Sequence, residues 1–112
     1  MEGTRLQKVG RLIQKELGEI LQREGASIVP GKMLTVTQVR VSPDLSIARV
    51  YISIFPSNDS DKSIELIKNH TKFLRGELGK RVRHQLRVIP ELSFFIDDSL
   101  DYIERIDNLL KE

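Results

Sequence analysis

The segment from Leu34 to Phe55 commits this chain to a β-sheet. Leu34-Thr35-Val36-Thr37-Gln38-Val39-Arg40-Val41 and the run Ile47 to Phe55 are rich in β-branched residues, whose stiff side chains suit a pleated surface. Ser42-Pro43-Asp44-Leu45 between them has turn chemistry, so the two runs read as a β-hairpin. In the second run Ala48, Val50, Ile52 and Ile54 fall on one face. The alternation of the first slips near Gln38, which predicts a bulge. An apolar sheet face has to be covered, and the rest of the chain has the periodicity to cover it.

Before the hairpin, Leu6, Val9, Ile13, Leu17, Ile20 and Leu21 recur at three- and four-residue spacing, a helix with Thr4 as its expected cap and Gly25 as its expected stop. Lys8, Arg11 and Lys15 gather on one stripe away from that apolar face. Pro30-Gly31 is a turn signal. After it come the hairpin and then a loop, Pro56 to Asp59, that ends in a cap at Ser60. Ile64, Ile67, Leu74, Leu78 and Val82 then mark twenty-odd helical residues, long enough to contain a break. Leu92 to Ile96, preceded by Pro90, reads as a third strand, and Asp97-Asp98-Ser99 caps a last helix carrying Leu100, Ile103, Ile106 and Leu110. The order α-β-β-α-α-β plus a C-terminal helix predicts an α+β fold with the helices on one face of a three-stranded sheet. At 112 residues, 39% of them hydrophobic, the chain has room for one core, so residues 1–112 are expected to form a single domain.

Several function classes lose their footing on composition. Without cysteine there are no disulfides, thiolate metal sites or cysteine nucleophiles, which fits a cytoplasmic location. No apolar run approaches a signal peptide or a membrane span, so neither secretion nor membrane insertion is expected. His70 and His84 stand fourteen apart, without the one-turn spacing of a zinc pair or a third ligand. Asp97, Asp98 and Asp101 suit the positive end of a helix dipole without any cation. The expectation is a protein with no catalytic residues, metal, cofactor or small-molecule substrate.

The net charge is only +2, but its distribution is uneven. Lys68, Lys72, Arg75, Lys80, Arg81, Arg83 and Arg87 stand against one acid, Glu77, in that stretch. If the helix were continuous, Lys68, Lys72, Gly76, Gly79 and Arg83 would share its outer sector, where a phosphate backbone could come close. All seven are candidates for RNA contact, as are Lys8, Arg11 and Lys15 on the first helix. Gly76-Glu77-Leu78-Gly79 matches the Gly-x-x-Gly signature of KH domains, yet Leu78 continues the apolar stripe, which puts these glycines inside a helix and not in a clamp loop. Tyr51, Phe55, Phe94 and Phe95 could stack on bases, but strand aromatics are usually core, and they read as core here. The alternative to RNA binding is a basic protein-binding adaptor that meets an acidic partner.

Val41-Ser42-Pro43-Asp44-Leu45 and Ala48-Arg49-Val50-Tyr51-Ile52 resemble the ribosome-binding factor A family of bacterial small-subunit assembly factors. Phe73-Leu74-Arg75, Gly79-Lys80-Arg81, Ile89-Pro90-Glu91-Leu92 with Phe94, and Arg105-Ile106-Asp107 with Leu109-Leu110 extend the resemblance over nearly the whole chain. It implies a KH-like fold of type II, in which a kink between two helices replaces the Gly-x-x-Gly loop. It also implies binding to the free small subunit and its rRNA near the decoding region during late maturation, with particular importance in the cold; a monomer is expected separately, because nothing in the sequence marks a self-complementary apolar patch. Arg75, Lys80, Arg81 and Arg83 match the family's basic second-helix region, so the resemblance makes them the first candidates for phosphate contact, with Lys8, Arg11 and Lys15 second. His70-Thr71-Lys72 occupies the kink positions where the family usually has Ala-x-Gly, and two additional residues lie between Arg83 and Leu86.

Overall fold

In the computed structural model, which describes residues 2–97, α1 is Glu2–Ile28, β1 Met33–Val41, β2 Ile47–Phe55, α2 Ser60–Asn69, α3 Thr71–Val82 and β3 Glu91–Ile96. This α-β-β-α-α-β order is that of a KH-like fold of type II. The predicted C-terminal helix lies outside the described residues. β1 and β2 pair antiparallel as a hairpin, and β3 joins the other side of β2 in parallel, giving the sheet order β1-β2-β3. A parallel neighbour requires a crossover, and α2 and α3 form it.

Alternation along the strands fixes which face the helices cover. Leu34, Val36, Ala48, Val50, Ile52, Ile54, Leu92 and Phe94 are buried, in one cluster with Ile13, Leu17, Ile20 and Leu21 of α1, Ile64 and Ile67 of α2, and Leu74, Leu78 and Val82 of α3. Truncating one of the fully buried leucines to Ala would cost roughly 2–5 kcal/mol. α1 lies very close on β1 at Gly10, where an added Cβ would stand 2.9 Å from the Val39 carbonyl oxygen.

The bulge is at Thr37, the one β1 residue skipped when the register shifts between Val36 and Gln38. Its hydroxyl lies 2.5 Å from the Asp97 carboxylate and 3.3 Å from the Tyr51 carbonyl, while the Asp97 N–H donates to the Ile52 carbonyl at 2.8 Å. The extra residue thus ties the end of β3 back across β2 to β1. At the hairpin turn Asp44 accepts from the Ser46 hydroxyl (2.7 Å), the Ser42 hydroxyl (2.8 Å) and the Ser46 N–H (3.1 Å). Those bonds, the Ser46 hydroxyl foremost, hold its carboxyl below the usual range.

Three helix boundaries differ from expectation. α1 begins at Glu2, upstream of Thr4, so Thr4 is not its cap. It also passes through Gly25, which faces Leu34 with 3.4 Å of room for a Cβ, and the chain turns at Gly31 with φ +80. For α2 the cap position is Asp59, in the left-handed region at φ 61, and Ser60 is already helical.

Candidate nucleic-acid interface

α2 and α3 meet at His70, whose φ of −102 and ψ of 13 break the helical ladder. The break is tied on both sides. The Thr71 hydroxyl donates to the Lys68 carbonyl at 2.6 Å, and His70 Nδ1 donates to the Leu66 carbonyl at 2.8 Å. Because the ladder is interrupted, Lys68 belongs to α2 and does not continue the α3 sector, so the single five-residue face expected for a continuous helix is divided. On α3, Gly76 is exposed with nothing within 4 Å of its missing Cβ, whereas Gly79 faces Ile89 at 3.6 Å. Gly76 and Gly79 are both helical, with no clamp loop between them.

The cations in this region are in two different states. Arg81 Nη1 sits 2.7 Å from Glu19 and 3.1 Å from Glu16, bridging α3 to α1, and these carboxylates raise its already high pKa. Lys80 is 3.6 Å from Glu77, which also lies 3.9 Å from Arg23 of α1. Arg75 donates from Nη2 to the Ile89 carbonyl at 2.6 Å and from Nε to the Pro90 carbonyl at 3.0 Å. Its fork thus holds the connection into β3. Lys68, Lys72 and Arg87 are exposed and have no polar partner among the described residues, and Arg83 meets only the neighbouring His84, with Nε 3.3 Å from the His84 Nε2.

On α1, Lys8, Arg11 and Lys15 are exposed and have no polar partner among the described residues, along the crest opposite the core. Glu16 and Glu19 flank that crest on the side facing α3, where Arg81 binds them. The two basic stretches therefore lie in one helical layer, separated by a charge-paired seam. Sequence counting missed this seam because its acids stand more than sixty residues from Arg81. The one signal for it is Glu16 and Glu19 at i,i+3, which places both on one side of α1.

The aromatic residues also divide. Phe94 is buried, but Phe55 and Phe95 are exposed and Tyr51 is half-buried, all three on the sheet face away from the helices. The Tyr51 and Phe95 rings stack with centroids 5.5 Å apart and planes at 27°. Among the described residues no three His, Asp or Glu side chains converge as metal ligands, and no helix is long and apolar enough to cross a membrane.

Residues 5–110 match the sequence pattern of the ribosome-binding factor A family. The chain is 50% identical over 111 residues to ribosome-binding factor A of Flavobacterium johnsoniae, covering 98% of this chain and 85% of that protein. It is 44% identical over 112 residues to ribosome-binding factor A of Cytophaga hutchinsonii, covering 100% and 84%. The fold is similar to the crystal structure of Thermus thermophilus ribosome-binding factor A, with TM-score 0.68 at 25% identity over 80% of this chain and 92% of that one. It is also similar to a homology model of the Thermus protein fitted into a cryo-EM map of its complex with the 30S particle, with TM-score 0.63 at 26% identity over 78% and 89%.

Proposed function

Since the chain belongs to the ribosome-binding factor A family, we propose that it is a non-catalytic assembly factor that binds the free small ribosomal subunit and assists late maturation of its rRNA. The observation that carries this reading is the set of exposed cations left without a carboxylate partner among the described residues: Lys68 and Lys72 beside the elbow, Arg83 and Arg87 beyond α3, and Lys8, Arg11 and Lys15 along α1. Cations without internal partners can each meet a phosphate and release its counterions, with no ion pair to break first. Arg75, Lys80 and Arg81 already hold the fold and stand second as phosphate contacts. The fitted complex of the Thermus relative with the 30S particle supports the choice of partner.

No chemical step is needed. A factor that binds one conformation of the maturing rRNA more tightly than another shifts its population by that difference in affinity alone. The protein acts as a monomer in the cytoplasm, and the growth condition in which it matters most is the cold.

Co-sedimentation tests the proposal, using purified free small subunits and whole ribosomes with the wild type and with a folded variant reversed at Lys68, Lys72, Arg83 and Arg87. Selective binding of the wild type to free subunits, lost in the variant, is the expected result. Equal binding to mature and immature subunits would defeat the population-shift mechanism, and no binding would favour an acidic protein partner.

A further inference from the structure

The sheet face opposite the helices has a composition that the helical reading leaves unused. Arg40 and Arg49 are direct cross-strand partners in β1 and β2, both exposed on that face. Like charges placed opposite one another on a sheet repel. Here nothing relieves them, because neither arginine has a hydrogen bond or ion pair among the described residues. Glu91 pairs with Ile47, one step along the same face, yet makes no ion pair with Arg49. The two arginines line a shallow depression of about 260 Å³ at the hairpin end, together with Val41, Ser42, Pro43 and Ile47. Next along the same face come Tyr51 and Phe95, register partners in β2 and β3. Their stacked pair leaves Phe95 41% exposed.

We propose that this face is a second RNA-binding surface, which takes an unpaired nucleotide with its phosphate at Arg40 and Arg49 and its base on the Phe95–Tyr51 stack. The arginine row and the aromatic row are two residues apart along β2, roughly 7 Å, which suits one nucleotide. An anion between the guanidinium groups relieves the repulsion, and a ring presented on a sheet is a stacking platform for a base of any identity. The two observations together favour a nucleotide over an acidic peptide, which would satisfy the arginines and leave the ring idle. The inference rests on the preceding functional reading only in taking RNA as the ligand.

The test uses the full chain and a fluorescein-labelled, unstructured twelve-nucleotide RNA, read by anisotropy and by 4-thiouridine cross-linking with peptide mapping. Arg40→Ala/Arg49→Ala and, separately, Phe95→Ala are each expected to weaken binding roughly fivefold or more. Cross-links are expected on the peptides holding Tyr51 or Phe95, and they persist in the variant reversed at Lys68, Lys72, Arg83 and Arg87. Circular dichroism establishes that each exposed-site variant is folded. The inference is overturned by three results: no binding of the oligonucleotide by the wild type, binding unchanged within twofold in both sheet variants, or cross-links confined to α2 and α3. It is also overturned for nucleotides if poly-glutamate competes equally in the wild type and Phe95→Ala. Small-subunit binding distinguishes the two readings: if it survives the sheet variants but not the helix variant, only the sheet surface falls. If the wild type ignores small subunits yet binds the oligonucleotide through Arg40 and Arg49, only the assembly-factor reading falls.

Discussion

Arg81 and Arg83 are two residues apart, yet one is held in a seam and the other faces solvent. Arg81 lies between Glu16 and Glu19 and joins two helices, while Arg83, just beyond the last residue of α3, meets only the next side chain among the described residues. What separates them is the helical angle, which turns Arg81 toward α1 and Arg83 outward. Charge of one type in one segment therefore has two uses, and a count of basic residues cannot distinguish them. The distinction predicts that losing a seam cation lowers stability while losing an outward one lowers affinity.

The sharpest separation is expected from reversing Lys68, Lys72, Arg83 and Arg87 together. Small-subunit affinity should fall by about 100-fold or more near 0.1 M salt, with a reduced slope of log affinity against log salt, while the thermal midpoint stays within error. A comparable fall in stability would erase the distinction. Arg75→Ala sits between the two classes, because its fork holds the Ile89 and Pro90 carbonyls. Urea unfolding should show a loss of about 1–2 kcal/mol for two partly exposed charge-assisted bonds, accompanied by weaker subunit binding as the segment bearing Arg87 loosens.

A third substitution, Arg81→Met, approximates the volume of the seam residue without its charge. It should lower the thermal midpoint, more at low salt than at high, and change subunit affinity by no more than about threefold. A larger loss of affinity with unchanged stability would move Arg81 to the outward class. The smallest effect concerns Asp44, remote from both stretches. Its depressed carboxyl pKa contributes stability that is fully present above the unfolded value and is lost as pH falls through the folded value. Asp44→Asn should therefore have a lower thermal midpoint than the wild type at neutral pH. That gap should close as the pH drops below about 4.

The fold was largely legible in the sequence because period reports burial. Leu34, Val50, Ile64 and Leu78 each recur with the spacing of the face they bury, and even the Thr37 bulge left a slip in the alternation. Helix ends were less legible. Gly25 signals a stop on local propensity, but its packing against Leu34 lets the helix run on to Ile28. Asp59 holds the left-handed position that a polar residue can adopt, which moved the cap of α2 one residue from Ser60. The candidate site was legible as a list of cations and not as a surface. Pairing between residues as distant as Glu16 and Arg81 depends on how α1 and α3 lie against each other, which no local pattern encodes. The open-face aromatics did have a signal: Tyr51 and Phe55 alternate with Val50, Ile52 and Ile54, so they had to lie on the opposite side.

Gly10 has a consequence for how a complex would form. With the Val39 carbonyl 2.9 Å from where a Cβ would stand, α1 cannot slide a turn along the sheet without bringing Leu6 or Gln14 to a place that excludes even a methyl group. Arg81 fixes the same helix from its other side. The crest of α1 and the outward cations of α3 thus meet a ligand as one template of fixed spacing, and any adaptation required for the two surfaces to match has to come from that ligand.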